Sequence, residues 1–127
     1  MESSKAIKVA IVDENPAVRE GLALFIDMSR GIELVGQAAT EKDALGLCGE
    51  TQVDVMLIDI ATSRESGVQT INSVYRLYPA IYIIGMAITS NDHIIQLALN
   101  AGASGYFLKN ISSEKLIELI RGTQSLQ

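Results

Sequence analysis

The chain has 127 residues, of which 48% are hydrophobic and 20% are charged, and its formal net charge is −5 at pH 7. This length fits one domain, residues 1–127, and the acidic balance argues against a surface that grips nucleic acid directly, because phosphate binding needs a basic face. The single cysteine, Cys48, excludes an internal disulfide or a thiol zinc site and is expected to be a packing residue. No stretch is typical of a membrane span or a signal peptide, so the sequence predicts a cytoplasmic protein that does not contact a membrane.

Five short apolar runs recur along the chain at similar intervals. Most of them are nearly continuous and do not alternate, which is typical of strands that are covered on both faces of a parallel sheet. The predicted strands are Ile7–Val12, Ile32–Ala38, Val53–Ile58, Ile81–Met86 and Gly105–Leu108.

Helical segments fill the gaps between these runs. Asn15 can cap the first helix, and Pro16 takes its first turn, where a missing N–H costs nothing. Gly102 suits the position just past the fourth helix, and Ser112 is placed to cap the fifth. The alternation of strands and helices predicts an α/β domain with a doubly wound parallel sheet between two layers of helices.

Charged residues follow three of the predicted strands. Asp13 and Glu14 come after the first strand, Asp59 after the third and Lys109 after the fifth. Taken singly, the acidic residues read as helix or loop caps and the lysine as a solvated side chain. Ligands of open α/β sheets bind beyond the carboxyl ends of the strands, however, and three carboxylates gathered there need cations. One lysine neutralises part of the charge, and Mg²⁺ is the abundant divalent ion that prefers oxygen ligands.

The motifs at these strand ends resemble those of one signalling family. They are "IVDEN" around Asp13, "VDVMLIDI" ending at Asp59 and Ile60, Gly67 eight residues beyond Asp59, and "NAGASGYFLK" ending at Lys109. Together they resemble the receiver domain of bacterial two-component response regulators over essentially the whole chain. The stretches "AVREGLALFI" and "IELVGQAAT" are most similar to the NarL/FixJ (LuxR-type) branch. The resemblance implies a flavodoxin-like (βα)₅ fold with strand order 2-1-3-4-5, and a signalling module that is not an enzyme.

The resemblance also implies roles for the residues at the strand ends. Asp59 would accept a phosphoryl group from a sensor histidine kinase, and Lys109 would pair with the phosphoryl oxygens. Asp13, Glu14 and Asp59 would hold Mg²⁺ together with a backbone carbonyl that the family pattern places at Ala61.

Two positions depart from the family pattern. The Thr or Ser that usually ends the fourth strand is Ala87 here, so the hydroxyl that normally contacts the phosphoryl group is absent. Thr89 and Ser90 lie just beyond it and are candidates to replace it. The Met-Pro pair that usually follows the acceptor is Thr62–Ser63. Tyr106 occupies the aromatic switch position, and it reads equally well as a half-buried strand tyrosine.

The resemblance leaves two functions open and disfavours a third. NarL/FixJ-type receivers normally precede a helix-turn-helix domain, so the chain is either a natural single-domain regulator or, as we expect, a fragment of a transcription factor that reaches nucleic acid only through a C-terminal domain missing here. Homodimer formation on phosphorylation is a further expectation. The alternative is a phosphorylation-independent pseudo-receiver that acts in dimerisation or docking, which Ala87 favours. A flavin or nucleotide binder is disfavoured because "DENPAV" contains no glycine for a phosphate loop.

Overall fold

The computed structural model describes residues 5–60, 66–88, 92–110 and 112–124. Strands and helices alternate along these residues. The strands are β1 Ile7–Val12, β2 Ile32–Ala38, β3 Val55–Asp59, β4 Tyr82–Ala87 and β5 Gly105–Leu108. The helices are α1 Pro16–Asp27, α2 Glu41–Glu50, α3 Ser66–Leu77, α4 Asp92–Ala101 and α5 Ser113–Gly122.

The strands form one sheet in the order β2-β1-β3-β4-β5, and every neighbouring pair is parallel. The predicted fold class and strand order are therefore confirmed. Within the described residues no helix is long and apolar enough to cross a bilayer, since the longest have 12 residues.

Both ends of β3 and β4 differ from the sequence prediction by one or two residues, and β3 and β4 begin later, at Val55 and Tyr82. β3 includes Asp59 because this residue still pairs with Met86 of β4. β4 includes Ala87 because this residue pairs with Leu108 of β5. The apolar runs mark which residues are buried, whereas the strand ends are set by which backbone groups find a partner across the sheet.

Both faces of the sheet are covered, and the pleat sorts the strand residues between two cores. In β1, Val9 and Ile11 belong to the core under α1 and α5, whereas Ala10 and Val12 belong to the core under α2, α3 and α4. Cys48 packs partly buried against this second core, where burial raises the pKa of its thiol.

The helix ends largely follow the sequence signals. Asn15 caps α1 by accepting the N–H of Ala17, and Gly102 adopts a φ of 128° just past α4. Ser112 is the N-cap residue of α5, as predicted, but its hydroxyl makes no cap hydrogen bond. The backbone carbonyl of Ser112 accepts the N–H of Lys115 instead, so the donor that the hydroxyl would serve is already satisfied.

Candidate functional site

Two buried aspartates lie side by side at the carboxyl end of the sheet. β1 and β3 are neighbours, and Val12 pairs with Ile58 at the end of their ladder. Asp13 and Asp59 are the next residues along the two strands, with exposed fractions of only 3% and 8%. Two carboxylates buried this close together are costly unless a cation and hydrogen-bond donors offset their charge.

Lys109 supplies a cation between the two aspartates. Its Nζ lies 2.9 Å from Oδ2 of Asp13 and 2.9 Å from Oδ1 of Asp59. Its backbone N–H donates to the carbonyl oxygen of Ala87 at 2.7 Å, which fixes the other end of the residue against β4. The structure therefore brings three predicted site residues together, although 96 and 50 residues separate the lysine from the two aspartates.

The electrostatics of Lys109 reflect this position. Burial lowers the pKa of the lysine, but the hydrogen bonds and charges of Asp59 and Asp13 outweigh burial, so its pKa is raised above the ordinary value. The lysine therefore stays protonated at neutral pH. It neutralises one of the two carboxylates, so the corner formed by Asp13, Asp59 and Lys109 keeps a net negative charge.

Asp13 is also held by the turn that leads into α1. Its Oδ1 accepts the N–H of Asn15 at 2.9 Å, and the Asn15 side chain in turn accepts the N–H of Ala17 at 2.9 Å. The helix start and the carboxylate are thus fixed by the same turn. With Lys109 on Oδ2, both carboxylate oxygens of Asp13 have donors.

Arg19 is a neighbour of the site that the sequence analysis did not identify. Its Nη1 donates to the backbone carbonyl oxygen of Asp13 at 2.6 Å. The sequence did contain a signal for this contact, because Arg19 follows the strand-terminal Asp13 by six residues and lies in the first turns of a helix. That spacing is common on solvated helix faces, so it did not indicate a contact.

Gly67 lies against the backbone of Asp59, a contact that its spacing in the sequence did not reveal. A Cβ at this position would overlap the backbone carbonyl oxygen of Asp59. The start of α3 therefore passes against the backbone of the acceptor candidate, and only a residue without a side chain fits. Thr70, one turn further along α3, is buried and lines a cleft together with Gly67 and Asp59.

The donor set at this corner suits a hard cation. Glu14 is exposed, and together with both aspartates it lines a cleft of about 220 Å³ beside α2 and α3 and a second cleft over Lys109. Within the ranges that the structure describes, no three acidic, histidine or cysteine side chains are grouped closely enough to hold an ion by themselves. Mg²⁺ usually keeps several waters and needs only one or two carboxylates, so Asp13 and Asp59 fit it.

The structure describes only some of the remaining predicted site residues. Ala61, Thr89 and Ser90 lie outside the described residues. Ala87 is buried at the end of β4, and Tyr106 in β5 is 46% exposed.

Comparison with known proteins points to one family. The response regulator receiver domain matches residues 9–121. The chain is 35% identical over 112 residues to the transcriptional regulatory protein YhcZ of Bacillus subtilis, and the aligned region covers 88% of this chain and 52% of YhcZ. It is 31% identical over 121 residues to the nitrate/nitrite response regulator protein NarP of Escherichia coli, which covers 95% of this chain and 56% of NarP. The chain thus spans about half the length of these relatives.

Solved structures agree with the sequence relatives. A two-component response regulator of the LuxR family from an Aurantimonas species superposes with a TM-score of 0.87 at 27% identity, over 98% of this chain and 88% of that chain. The signal receiver domain of the response regulator NarL from Mycobacterium tuberculosis superposes with a TM-score of 0.79 at 25% identity, over 94% of this chain and 99% of that chain. This chain belongs to the response regulator receiver domain family of NarL/LuxR-type regulators.

Proposed function

We propose that Asp59 is the phosphoacceptor of this receiver and that a sensor histidine kinase is the donor. The observation that carries the proposal is the position of Lys109, whose Nζ is 2.9 Å from both Asp59 and Asp13. A carboxylate is a weak nucleophile toward phosphorus, and the transferring group carries negative charge that must be neutralised. A protonated lysine beside the acceptor meets that need.

In the proposed transfer, the P–N bond of a phosphohistidine breaks and a P–O bond to an Asp59 oxygen forms. The imidazole leaves with the electrons of the broken bond, and it takes up a proton from solvent to become neutral. Lys109 shifts its hydrogen bond from the carboxylate to a phosphoryl oxygen as a compact point charge. Asp59 needs little movement because β3 and Gly67 fix its backbone.

We infer that Mg²⁺ is the cofactor, held by Asp13 and Asp59, by Glu14 directly or through water, and by the backbone carbonyl of Ala61. When bound, the ion neutralises negative charge on the transferring group. The two buried aspartates support this assignment, because their shared corner keeps a net negative charge after Lys109 is counted.

The proposed output is transcriptional control. The relatives include transcriptional regulatory proteins, and this chain covers about half of their length. We propose that a DNA-binding domain follows the receiver in the whole protein, that phosphorylation promotes homodimer formation, and that the protein works in the cytoplasm as a signalling module.

A second candidate function rests on Ala87. This residue is buried at the end of β4 and offers no hydroxyl to a phosphoryl group. A receiver that has lost this contact could act without phosphorylation as a dimerisation or docking module. The two functions differ in whether an acyl phosphate forms.

The test is exposure of the protein to acetyl phosphate and Mg²⁺, followed by intact-mass and peptide mass spectrometry. One phosphoryl group, labile to hydroxylamine, should appear on Asp59, and Asp59→Asn should abolish it. Asp27→Asn, which removes an exposed carboxylate at the end of α1, is the matched control and should leave labelling unchanged. Labelling that persists in Asp59→Asn would place the acceptor elsewhere, and no labelling of the unmodified protein would favour the second candidate.

A further inference from the structure

Arg19 makes a contact that the proposed chemistry does not itself require. The residue is half-buried in α1, and its backbone N–H donates to the Asn15 carbonyl at 3.1 Å as α1 begins. Its guanidinium reaches back along the helix, and Nη1 donates to the carbonyl oxygen of Asp13 at 2.6 Å. Charge-assisted hydrogen bonds of this length are among the stronger ones in proteins.

This contact completes the hydrogen bonding of Asp13. Besides the two donors on its carboxylate, its backbone N–H donates to the Ala38 carbonyl of β2 at 3.0 Å, and its carbonyl accepts from Arg19. The carbonyl belongs to the peptide unit that joins Asp13 to Glu14. The direction of this peptide determines where the chain carries the Glu14 side chain as it leaves β1.

We propose that Arg19 is a positioning residue for the cation site, which acts by fixing the peptide between Asp13 and Glu14. The inference rests on the proposed function, since it takes these two acidic residues to be Mg²⁺ ligands. Arg19 itself contacts neither the ion nor the phosphoryl group. It resembles the outer partners that orient the ligands of other metal sites, whose loss typically weakens metal binding about 10- to 100-fold.

An electrostatic role and a positioning role of Arg19 predict opposite changes in Mg²⁺ affinity when the residue is replaced. A nearby positive charge repels Mg²⁺, so a purely electrostatic role means that the neutral variant binds the ion more tightly. A positioning role means that it binds the ion more weakly, because the freed peptide no longer directs Glu14. The sign of the change therefore separates the two.

The experiment titrates Mg²⁺ into ¹⁵N-labelled protein at constant ionic strength and follows the amide resonances. Arg19→Met removes the charge and the donors but keeps an apolar stem. Lys42→Met is the matched control, because Lys42 is an exposed cation that lines the same groove between α1 and α2 as Arg19. We expect the Kd for Mg²⁺ to rise about 10-fold in Arg19→Met. In Lys42→Met we expect it to stay within about twofold or to fall.

Two further readouts bear on the mechanism. In metal-free Arg19→Met, the Glu14 amide should shift while the amides of β4 and β5 do not. At saturating Mg²⁺, labelling of Asp59 by acetyl phosphate should return to the unmodified rate. Arg19→Lys keeps the charge but replaces the guanidinium with an ammonium group, and it should show an intermediate Kd for Mg²⁺. This variant takes the place of Arg19→Met if Arg19→Met does not fold.

The outcomes also separate this inference from the proposed function. If Arg19→Met binds Mg²⁺ as well as or better than the unmodified protein, the positioning role is overturned while the phosphoacceptor proposal stands. Equal weakening in Arg19→Met and Lys42→Met would overturn it as well, since the effect would not depend on the bond to Asp13. If the unmodified protein itself binds no Mg²⁺, both the proposed metal ligands and the role of Arg19 fail together.

Discussion

At the carboxyl end of the sheet, the acceptor corner (Asp13, Asp59 and Lys109) is held by charged side chains, whereas the β4–β5 corner (Ala87 and Tyr106) is held by packing and by the backbone. The lysine of the acceptor corner bonds to both of its aspartates. In the β4–β5 corner, Ala87 is buried and only its backbone carbonyl reaches the site, through the N–H of Lys109. Tyr106 remains 46% exposed.

The two corners are also placed differently relative to the two cores. Leu57, two residues before Asp59, packs under α1 and α5, and Asp59 itself stands at the rim of the sheet, where it also lines the cleft beside α2 and α3. Ala87 packs in the other core, under α2, α3 and α4. Tyr106 stands two residues before Leu108, which packs against the core that holds Ala87.

The difference teaches that this receiver keeps the charged groups proposed to capture a phosphoryl group and lacks the hydroxyl expected to report it. The acceptor corner retains a full set of charged groups. In the β4–β5 corner Ala87 supplies no hydroxyl to a phosphoryl group, and it is joined to the acceptor corner through the backbone hydrogen bond from Lys109. We therefore expect phosphorylation to proceed and the conformational response to be blunted.

The largest effect is expected from Lys109→Met, which breaks the acceptor corner. Loss of one positioned donor to a developing negative charge typically slows a reaction about 100-fold or more, so labelling of Asp59 should fall by that amount. Stability should fall by about 2 kcal/mol, because two buried carboxylates lose a charged donor. Labelling kinetics and urea denaturation measure the two effects. Lys115→Met, at an exposed lysine of α5, is the control and should change neither quantity appreciably. Unchanged labelling in Lys109→Met would contradict the role given to the lysine.

Gly67→Ala tests the backbone of the acceptor corner. The added Cβ would overlap the Asp59 carbonyl oxygen, so α3 or the acceptor strand must shift, which should cost about 1–3 kcal/mol. Urea denaturation measures this cost. Gly21→Ala is the matched control, since a Cβ at Gly21 in α1 meets open space and should stabilise the protein by up to about 1 kcal/mol. Equal free energies of unfolding for the two variants would show that the approach of α3 to Asp59 is not constrained.

Ala87→Thr sharpens the comparison by adding the missing hydroxyl to the β4–β5 corner. One hydrogen bond to a charged phosphoryl group is worth about 1.5–3 kcal/mol, so the ratio of active to inactive states on phosphorylation should rise about 10-fold or more. Amide shifts around Tyr106 and phosphorylation-dependent dimer formation report this ratio. Ala87→Val has nearly the same shape without the hydroxyl and separates the hydrogen bond from overpacking of the buried site. If the unmodified protein already shows a full response and Ala87→Thr adds nothing, another group has replaced the hydroxyl.

The smallest effect is expected from pH. The pKa of Lys109 is raised in the folded protein, so the charged lysine contributes stability that is fully present below its unfolded-state pKa of about 10.4. This contribution is lost as pH rises through the higher folded-state pKa. The difference in unfolding free energy between the unmodified protein and Lys109→Met should therefore be constant at mildly alkaline pH and shrink in strongly alkaline buffer. Denaturation series followed by circular dichroism would show it, and a difference that grows with pH would contradict the assignment.

Local sequence features predicted the fold well because they record burial and backbone chemistry. Nearly continuous apolar runs indicated strands covered on both faces, and Asn15 with Pro16 marked the start of α1, as the structure bears out. The positions of Asp13 and Asp59 at adjacent strand ends followed from the family resemblance and the strand order. Strand limits were less accurate, because the last pairs of β3 and β4 depend on the neighbouring strand.

The sequence by itself determined which residues stand at the strand ends, because the apolar runs stop there, and the family resemblance supplied the strand order. Only the tertiary structure decided which of them touch. The bonds from Lys109 to the aspartates, the reach of Arg19 to the Asp13 carbonyl and the approach of Gly67 to Asp59 depend on register and helix packing. These contacts join parts of the chain whose relative placement no local pattern encodes, since it is set by how all five strands and their helices fill the two cores.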